Sequence, residues 1–266
     1  MTTLLPFHTQ LANAWKLFLN RWGSAVALQF LYLIPGILMF PLMIEYAEAL
    51  LAGIDPAAML QGSAYVTSFL IGFILLVLVG VFVAAATGIL FAARKKPTLG
   101  EVVTSTLMRY VSVLYTSVLS TLVVLVALIP AFALNYWYTV FAYSGVTIAG
   151  NGIAAVDAIV LIALVALLIP AVIIATWVMY APLVVALKAA PAGFTAIMFA
   201  KEAVHHHVWQ IVWRMVGSMA LYQIVSASVA NLPYASYLVP FALSIIIIAF
   251  FVEMYKELQG GASYGK

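Results

Sequence analysis

The sequence predicts an all-α fold, a polytopic transmembrane helical bundle of about six spans with short amphipathic helices on one face. Three observations predict it. Of 266 residues, 67% are hydrophobic and 7% are charged, and the mean hydropathy is +1.18. A soluble domain of this size carries roughly a quarter charged residues, so this surface has to meet lipid rather than water. The apolar runs are long and continuous, as from Phe69 to Ala93, whereas a membrane β-barrel alternates apolar and polar residues over segments of about ten. Finally, the few charges are sorted by sign along the chain.

A helix needs about 20 mostly apolar residues to cross a bilayer. Six segments meet that need: Trp22–Ile44, Val66–Ala92, Val111–Ala133, Ala158–Val185, Val208–Ala230 and Ala235–Val252. Pro130 and Pro170 fall at the end of the third and inside the fourth, where a missing amide hydrogen invites a kink. The first segment has full spanning length with no small-residue cleavage site before it, which predicts a retained span rather than a cleaved signal. The whole chain, 1–266, reads as one integral membrane domain.

The basic residues orient it. Lys16 and Arg21 precede the first span, and Arg94, Lys95, Lys96 and Arg109 lie between the second and third. Lys188, Lys201 and Arg214 lie between the fourth and fifth or just inside the fifth, and Lys256 and Lys266 follow the sixth. All Lys and Arg thus share one side, while the opposite loops hold Glu45, Glu48, Asp55 and Asp157. The positive-inside rule makes the basic side cytoplasmic. The expected location is the cell membrane, with both termini cytoplasmic.

The three entries from that side look alike. Each starts at a proline (Pro6, Pro97, Pro191) and runs through an amphipathic stretch into a span that ends near another proline (Pro35, Pro130, Pro233). Phe7, Leu11, Trp15, Phe18 and Trp22 share one helical face, and Leu99, Val102, Val103, Thr106 and Tyr110 repeat the spacing. Phe194, Ile197, Met198 and Val208 mark the third, beside Lys201 and Glu202. An interfacial helix needs this pattern to lie flat in the acyl boundary. The unit of one amphipathic helix and two spans gives parallel repeats 1–96, 97–190 and 191–266. A duplication and the plain recurrence of basic entries in any threading chain both account for it.

The stretch LLIPAVIIATWVMYAPLVVALKAAPAGFTAIMFAKEAVHHHVWQIVWRMVG, from Leu167 to Gly217, resembles the bacterial multi-pass membrane domain named after glycerophosphoryl diester phosphodiesterases. The resemblance rests on Ile169-Pro170, the turn Tyr180-Ala181-Pro182, the helix Thr195 to Lys201, and Trp209 with Trp213. The segments FHTQLANAWKLFLNRWGS and PTLGEVVTSTLMRYVS resemble that family's entry helices. The chain departs from the pattern after the Ala-Pro turn, where Val185, Ala186 and Leu187 stand in place of an acidic residue. It also lacks the phosphodiesterase barrel, so the resemblance implies a membrane fold and no catalytic activity.

The residues point the same way. There is no cysteine, which removes disulfides and thiolate chemistry. Metalloprotease, nucleophile-elbow, P-loop and dinucleotide fingerprints are all missing. His205, His206 and His207 are adjacent and point about 100° apart on a helix, so they do not converge on one metal ion. At a span's edge they read as interfacial polar residues, although histidine does titrate near neutral pH. No charge sits at mid-span, which argues against a proton- or sodium-coupled pump.

Gln29, Thr116, Ser117, Ser120 and Thr121, with Gln223, Ser226 and Ser228, suit helix packing or, more sharply, a substrate path. Trp15, Trp22, Tyr136, Trp137, Tyr138, Trp209 and Trp213 belong at headgroup level. The candidate lipid-headgroup contacts are Lys16, Arg21, Arg94, Lys95, Lys96, Arg109, Lys201 and Arg214. No catalytic residue, metal or cofactor is expected. Membrane lipids are the expected partners, with a homo-oligomer or a second membrane protein left open and nucleic acid excluded. The expected function is a non-enzymatic inner-membrane protein of membrane organisation or lipid and partner association. The alternative is a transporter or lipid-handling permease with a cavity between repeats.

Overall fold

A computed structural model describes residues 4–53, 63–143 and 152–259. Asp55 and Lys266, two of the charges used for orientation, lie outside the described residues. Every regular element among those described is helical. In chain order they are α1 (Phe7–Gln29), α2 (Leu33–Leu51), α3 (Ser63–Ala92), α4 (Leu99–Leu107), α5 (Tyr110–Tyr143), α6 (Gly152–Val178), α7 (Ala181–Ala186), α8 (Phe194–Val204), α9 (Val208–Val229) and α10 (Ala235–Leu258). Single 3₁₀ turns at Phe30–Tyr32 and His205–His207 join α1 to α2 and α8 to α9.

Five described stretches are long and apolar enough to cross a membrane: Phe7–Leu51, Val66–Ala92, Tyr110–Val140, Asp157–Ala186 and Leu238–Leu258. The chain is a multi-pass membrane protein. The expected span Val208–Ala230 does form a helix, α9, yet it is not among the five. Its 22 residues reach about 33 Å, so length is not the shortfall. Gln210, Arg214 and Gln223 dilute its apolar character.

The chain divides into two compact units, one of Met1–Leu114 with Tyr222–Lys266, the other of Tyr115–Leu221. These boundaries do not follow the repeats 1–96, 97–190 and 191–266. In the first unit α1 and α10 pack on each other and on α3, with α2 and α4 also against α3. The buried stripe of α1 is Gln10, Ala14, Phe18, Arg21, Ala25 and Leu28, at the three- and four-residue steps of one helical face. It meets Ala85, Ala86, Leu90 and Phe91 of α3 and Ile245, Ala249 and Phe250 of α10, all buried. Small residues at such contacts let helices approach without help from water exclusion. At Gly72 the approach of α2 is so close that a Cβ would lie 2.6 Å from Met39 Cγ.

The three amphipathic entries take different forms. The first is not separate from its span: α1 continues through Trp22 to Gln29 and changes only at the 3₁₀ turn. Pro35 explains the position of that turn, because its missing N–H leaves the carbonyl four residues earlier without a helical donor. The N-terminal part of α1 still lies across other helices. Phe7 stacks edge-on with Phe250, Gln10 donates to Glu257, and Arg21 lies in electrostatic reach of Glu253. The second entry, α4, is a free-standing short helix closed by a capping box between Thr98 and Glu101. The third, α8, buries Ala196, Ile197, Ala200 and Val204 and leaves Phe194 and Met198 exposed.

In the second unit α8 packs against α6 and α7. Helices α5 and α6 pass through Pro130 and Pro170 without a break.

Candidate functional site

Two places collect polar chemistry, one in each unit. The first is the C-terminal end of α3. The last carbonyls of a helix have no partner within it, and here two cations take them. The Arg21 guanidinium donates to the Leu90 carbonyl and, at 2.6 Å, to the Ala93 carbonyl. Lys256 Nζ donates to the Phe91 carbonyl at 2.9 Å and pairs with Glu253 at 2.7 Å. Cations at this end also complement the negative pole of the helix dipole. Glu257 closes the group by accepting from Gln10 Nε2 and from the Leu5 backbone N–H. Helices α1, α3 and α10 are thus bound together at one end by charge-assisted hydrogen bonds.

The chain leaves that end through Arg94, Lys95 and Lys96, all exposed. Arg21, by contrast, is only 4% exposed. Expected to meet lipid headgroups, it instead holds the end of α3. Lys16 is exposed one turn or more before it. Arg109 is partly buried between α4 and α5, and burial lowers its pKa from the ordinary arginine value. Arginine's intrinsic basicity is high enough that it stays charged.

The second place is a groove between the α5 and α6–α7 walls of the second unit, with a volume of about 360 Å³. Ser117, Ser120 and Thr121 supply its hydroxyl groups, and Leu125, Ala175, Val178, Met179 and Pro182 are among its apolar lining. Ser120 is 7% exposed and its hydroxyl has no hydrogen-bond partner in the protein. Thr121 bonds back to the Ser117 carbonyl at 2.9 Å. Below the groove, Thr116 accepts the Gly193 N–H at 3.0 Å, anchoring the start of α8 to α5. Gly193 has φ of 90°, and a Cβ there would stand 3.0 Å from the Tyr115 ring, so a side chain is strained on both counts.

Three of the hydroxyls singled out in the sequence therefore share one concavity. It lies wholly within residues 97–190, inside the second repeat, whereas the sequence reading expected a cavity between repeats. Of the predicted basic residues in this unit, Lys201 sits 5.0 Å above the Trp177 ring, a cation–π contact. Arg214 is partly buried and interacts electrostatically with the fully buried Tyr180.

Lys188 was placed by the sequence only as an orientation marker, and the structure gives it a defined position. It has φ of 60° directly after α7, with its N–H bonded to the Val185 carbonyl and the next N–H, of Ala189, bonded to the Val184 carbonyl. That pair of bonds is a Schellman ending, whose left-handed residue is usually glycine. Nothing in the sequence pattern signals it, because a lysine there breaks the rule by which such endings are read.

The three histidines form a 3₁₀ turn rather than part of an α-helix. The His205 and His206 rings meet edge-on at 4.7 Å, and His207 Nδ1 lies 3.4 Å from Gln210 Oε1. Among the described residues no group of three His, Cys, Asp or Glu is arranged to hold a metal ion. Comparison with protein-family models, with curated proteins and with solved structures finds no match for this chain.

Proposed function

We propose that this is a non-enzymatic multi-pass protein of the bacterial inner membrane, with both termini cytoplasmic. In this reading its basic entries hold the anionic inner leaflet, in a role of membrane organisation or lipid and partner association. The observation that carries it is the exposed run Arg94–Lys96. It emerges beside helix ends whose carbonyls Arg21 and Lys256 already occupy, so these three cations are left facing outward. Each basic residue near an anionic surface contributes roughly 1 kcal/mol of attraction. The kinship with the glycerophosphoryl diester phosphodiesterase membrane domain belongs to the same proposal and rests on the Leu167–Gly217 pattern.

The test is lipid association of the purified chain in nanodiscs of phosphatidylcholine with added phosphatidylglycerol. The double substitution Lys95→Gln, Lys96→Gln is expected to release much of the associated phosphatidylglycerol at physiological salt. Equal association in both proteins would refute the reading. The second reading, a lipid-handling permease, is favoured by the hydroxyl-bearing groove, which a dry and fully packed helix bundle would lack.

A further inference from the structure

We infer that the groove of the second unit is a binding site for one anionic glycerophospholipid. Its acyl chain would lie against Leu125, Ala175 and Val178, and its headgroup would be held by Lys188 and Lys201. The inference rests on the lipid-association reading above and gives it a specific site.

The groove has the right place and shape. Along α5 it extends from Ser117 to Leu125, about 12 Å of helix, and both of its long walls belong to stretches able to cross a membrane. Leu125 at its rim is 48% exposed, and Val118, Leu122 and Val126 beside it are exposed apolar residues. Such a surface meets acyl chains. Its volume of about 360 Å³ falls at the small end of ligand pockets, roughly 300 to 1,000 Å³, and well above an apolar cavity of about 150 Å³ that admits benzene. The hydroxyl row changes its character from one end to the other. Ser117, Ser120 and Thr121 offer polar contacts toward the α7 end, and the Ser120 hydroxyl lacks a partner. Val124 and Leu125 make the far end apolar. A lipid ester above a hydrocarbon chain has that same polarity.

The charge lies at the polar end. Pro182 lines the groove there, and Lys188 follows six residues on, at the ending of α7. Lys201 stands over the Trp177 ring of α6, the helix that supplies Ala175 and Val178 to the groove. Lys188 carries the sharper argument. It occupies a left-handed position at a Schellman ending, where glycine relieves strain that any other side chain incurs. Strain retained at one position points to a side chain required there, and the side chain here is an exposed cation.

The experiment is native mass spectrometry of the full chain, released from mixed phosphatidylcholine and phosphatidylglycerol nanodiscs, with bound lipids counted. The wild type should retain one phosphatidylglycerol after weaker lipids have dissociated. Thr121→Trp and Leu125→Trp, which fill the rim without touching the buried wall, should lower that retention about tenfold, a shift of the size expected for a lost buried contact. Lys188→Gly should lower it about fivefold, the contribution of one basic residue at an anionic surface, while raising the thermal midpoint. A purely structural lysine would give the second effect without the first. Lys95→Gln with Lys96→Gln should remove the weaker lipids and spare this one. Retention unchanged in folded rim variants overturns the site, as does phosphatidylcholine held as firmly as phosphatidylglycerol. If the tryptophan variants lose cooperative melting, Lys188→Gly decides alone, and unchanged retention in it overturns the site. Loss of the single lipid in the Lys95, Lys96 variant would place it on the basic loop instead, leaving the broader lipid reading intact.

Discussion

Arg21 shows how one side chain can take a role opposite to its apparent one. By composition it is a cation before a span, suited to lipid phosphate. By position it falls three residues after Phe18 and four before Ala25, on the face that α3 and α10 cover. Burial there is tolerable because its fork-shaped guanidinium meets two carbonyls that would otherwise lack donors. Arg21→Ala should therefore destabilise the protein by about 2 to 3 kcal/mol, the range for hydrogen bonds to a charged group plus the orphaned carbonyls. Arg21→Lys, which keeps the charge but lacks the planar fork, should fall between. Exposed Lys16→Ala should leave the melting midpoint in detergent unchanged, and an unchanged midpoint in Arg21→Ala would show that the network is not stabilising. At Gly193, alanine should cost about 1 to 3 kcal/mol, since its φ of 90° is strained for any side chain and the Tyr115 ring stands in the way. A wild-type melting curve for Gly193→Ala would show that α8 is not anchored through this contact.

At the level of elements, the helices were legible where one local rule acts alone. Apolar length places α3, α5, α6 and α10, whereas the Thr98–Glu101 capping box that starts α4 went unread in the sequence. Thr98→Ala should accordingly cost about 1 kcal/mol, measurable as a lowered midpoint. Legibility failed where the protein-facing stripe is more polar than the lipid-facing one. Periodicity assigned Phe7, Leu11, Trp15, Phe18 and Trp22 to the lipid-facing side of α1; Trp15 and Trp22 are exposed, at 49% and 59%, but Phe18 is buried. The stripe that packs includes Gln10 and Arg21, residues that a pattern for soluble helices assigns to solvent. The join between α1 and α2 also depends on one atom rather than a pattern, the amide hydrogen that Pro35 lacks. Pro35→Ala should let Phe30–Tyr32 take the α-helical form. Since the chain has no native cysteine, spin labels at the exposed positions 22 and 40 can report the distance across the join. A distribution unchanged in Pro35→Ala would assign the turn to packing by α3 instead.

At the level of the whole molecule, the open question is whether the chain crosses the membrane an odd or an even number of times. Apolarity alone selects five stretches, and five crossings would put the two ends on opposite sides. The contacts of the first unit favour a different count. The Leu5 backbone and Gln10 both donate to Glu257, and Phe7 stacks with Phe250, so the start of α1 and the end of α10 share one side. We propose an even number of crossings, with α9 as the remaining helix of spanning length; its Arg214 is partly buried while Gln210 and Gln223 are exposed. This reading joins the contact geometry to the charge sorting, in which every Lys and Arg falls on one side when α9 counts as a span. Single cysteines at Lys16, Lys95, Lys188 and Gln259 should all resist a membrane-impermeant thiol reagent in intact cells and react after permeabilisation. Cysteines at Glu45 and Tyr136 should react without it. The pair Lys188 and Gln259 is decisive, since α9 and α10 are the helices of spanning length between them. Opposite accessibility at these two positions would show that α9 does not cross, and the contacts between Leu5, Gln10 and Glu257 could then not form in the membrane.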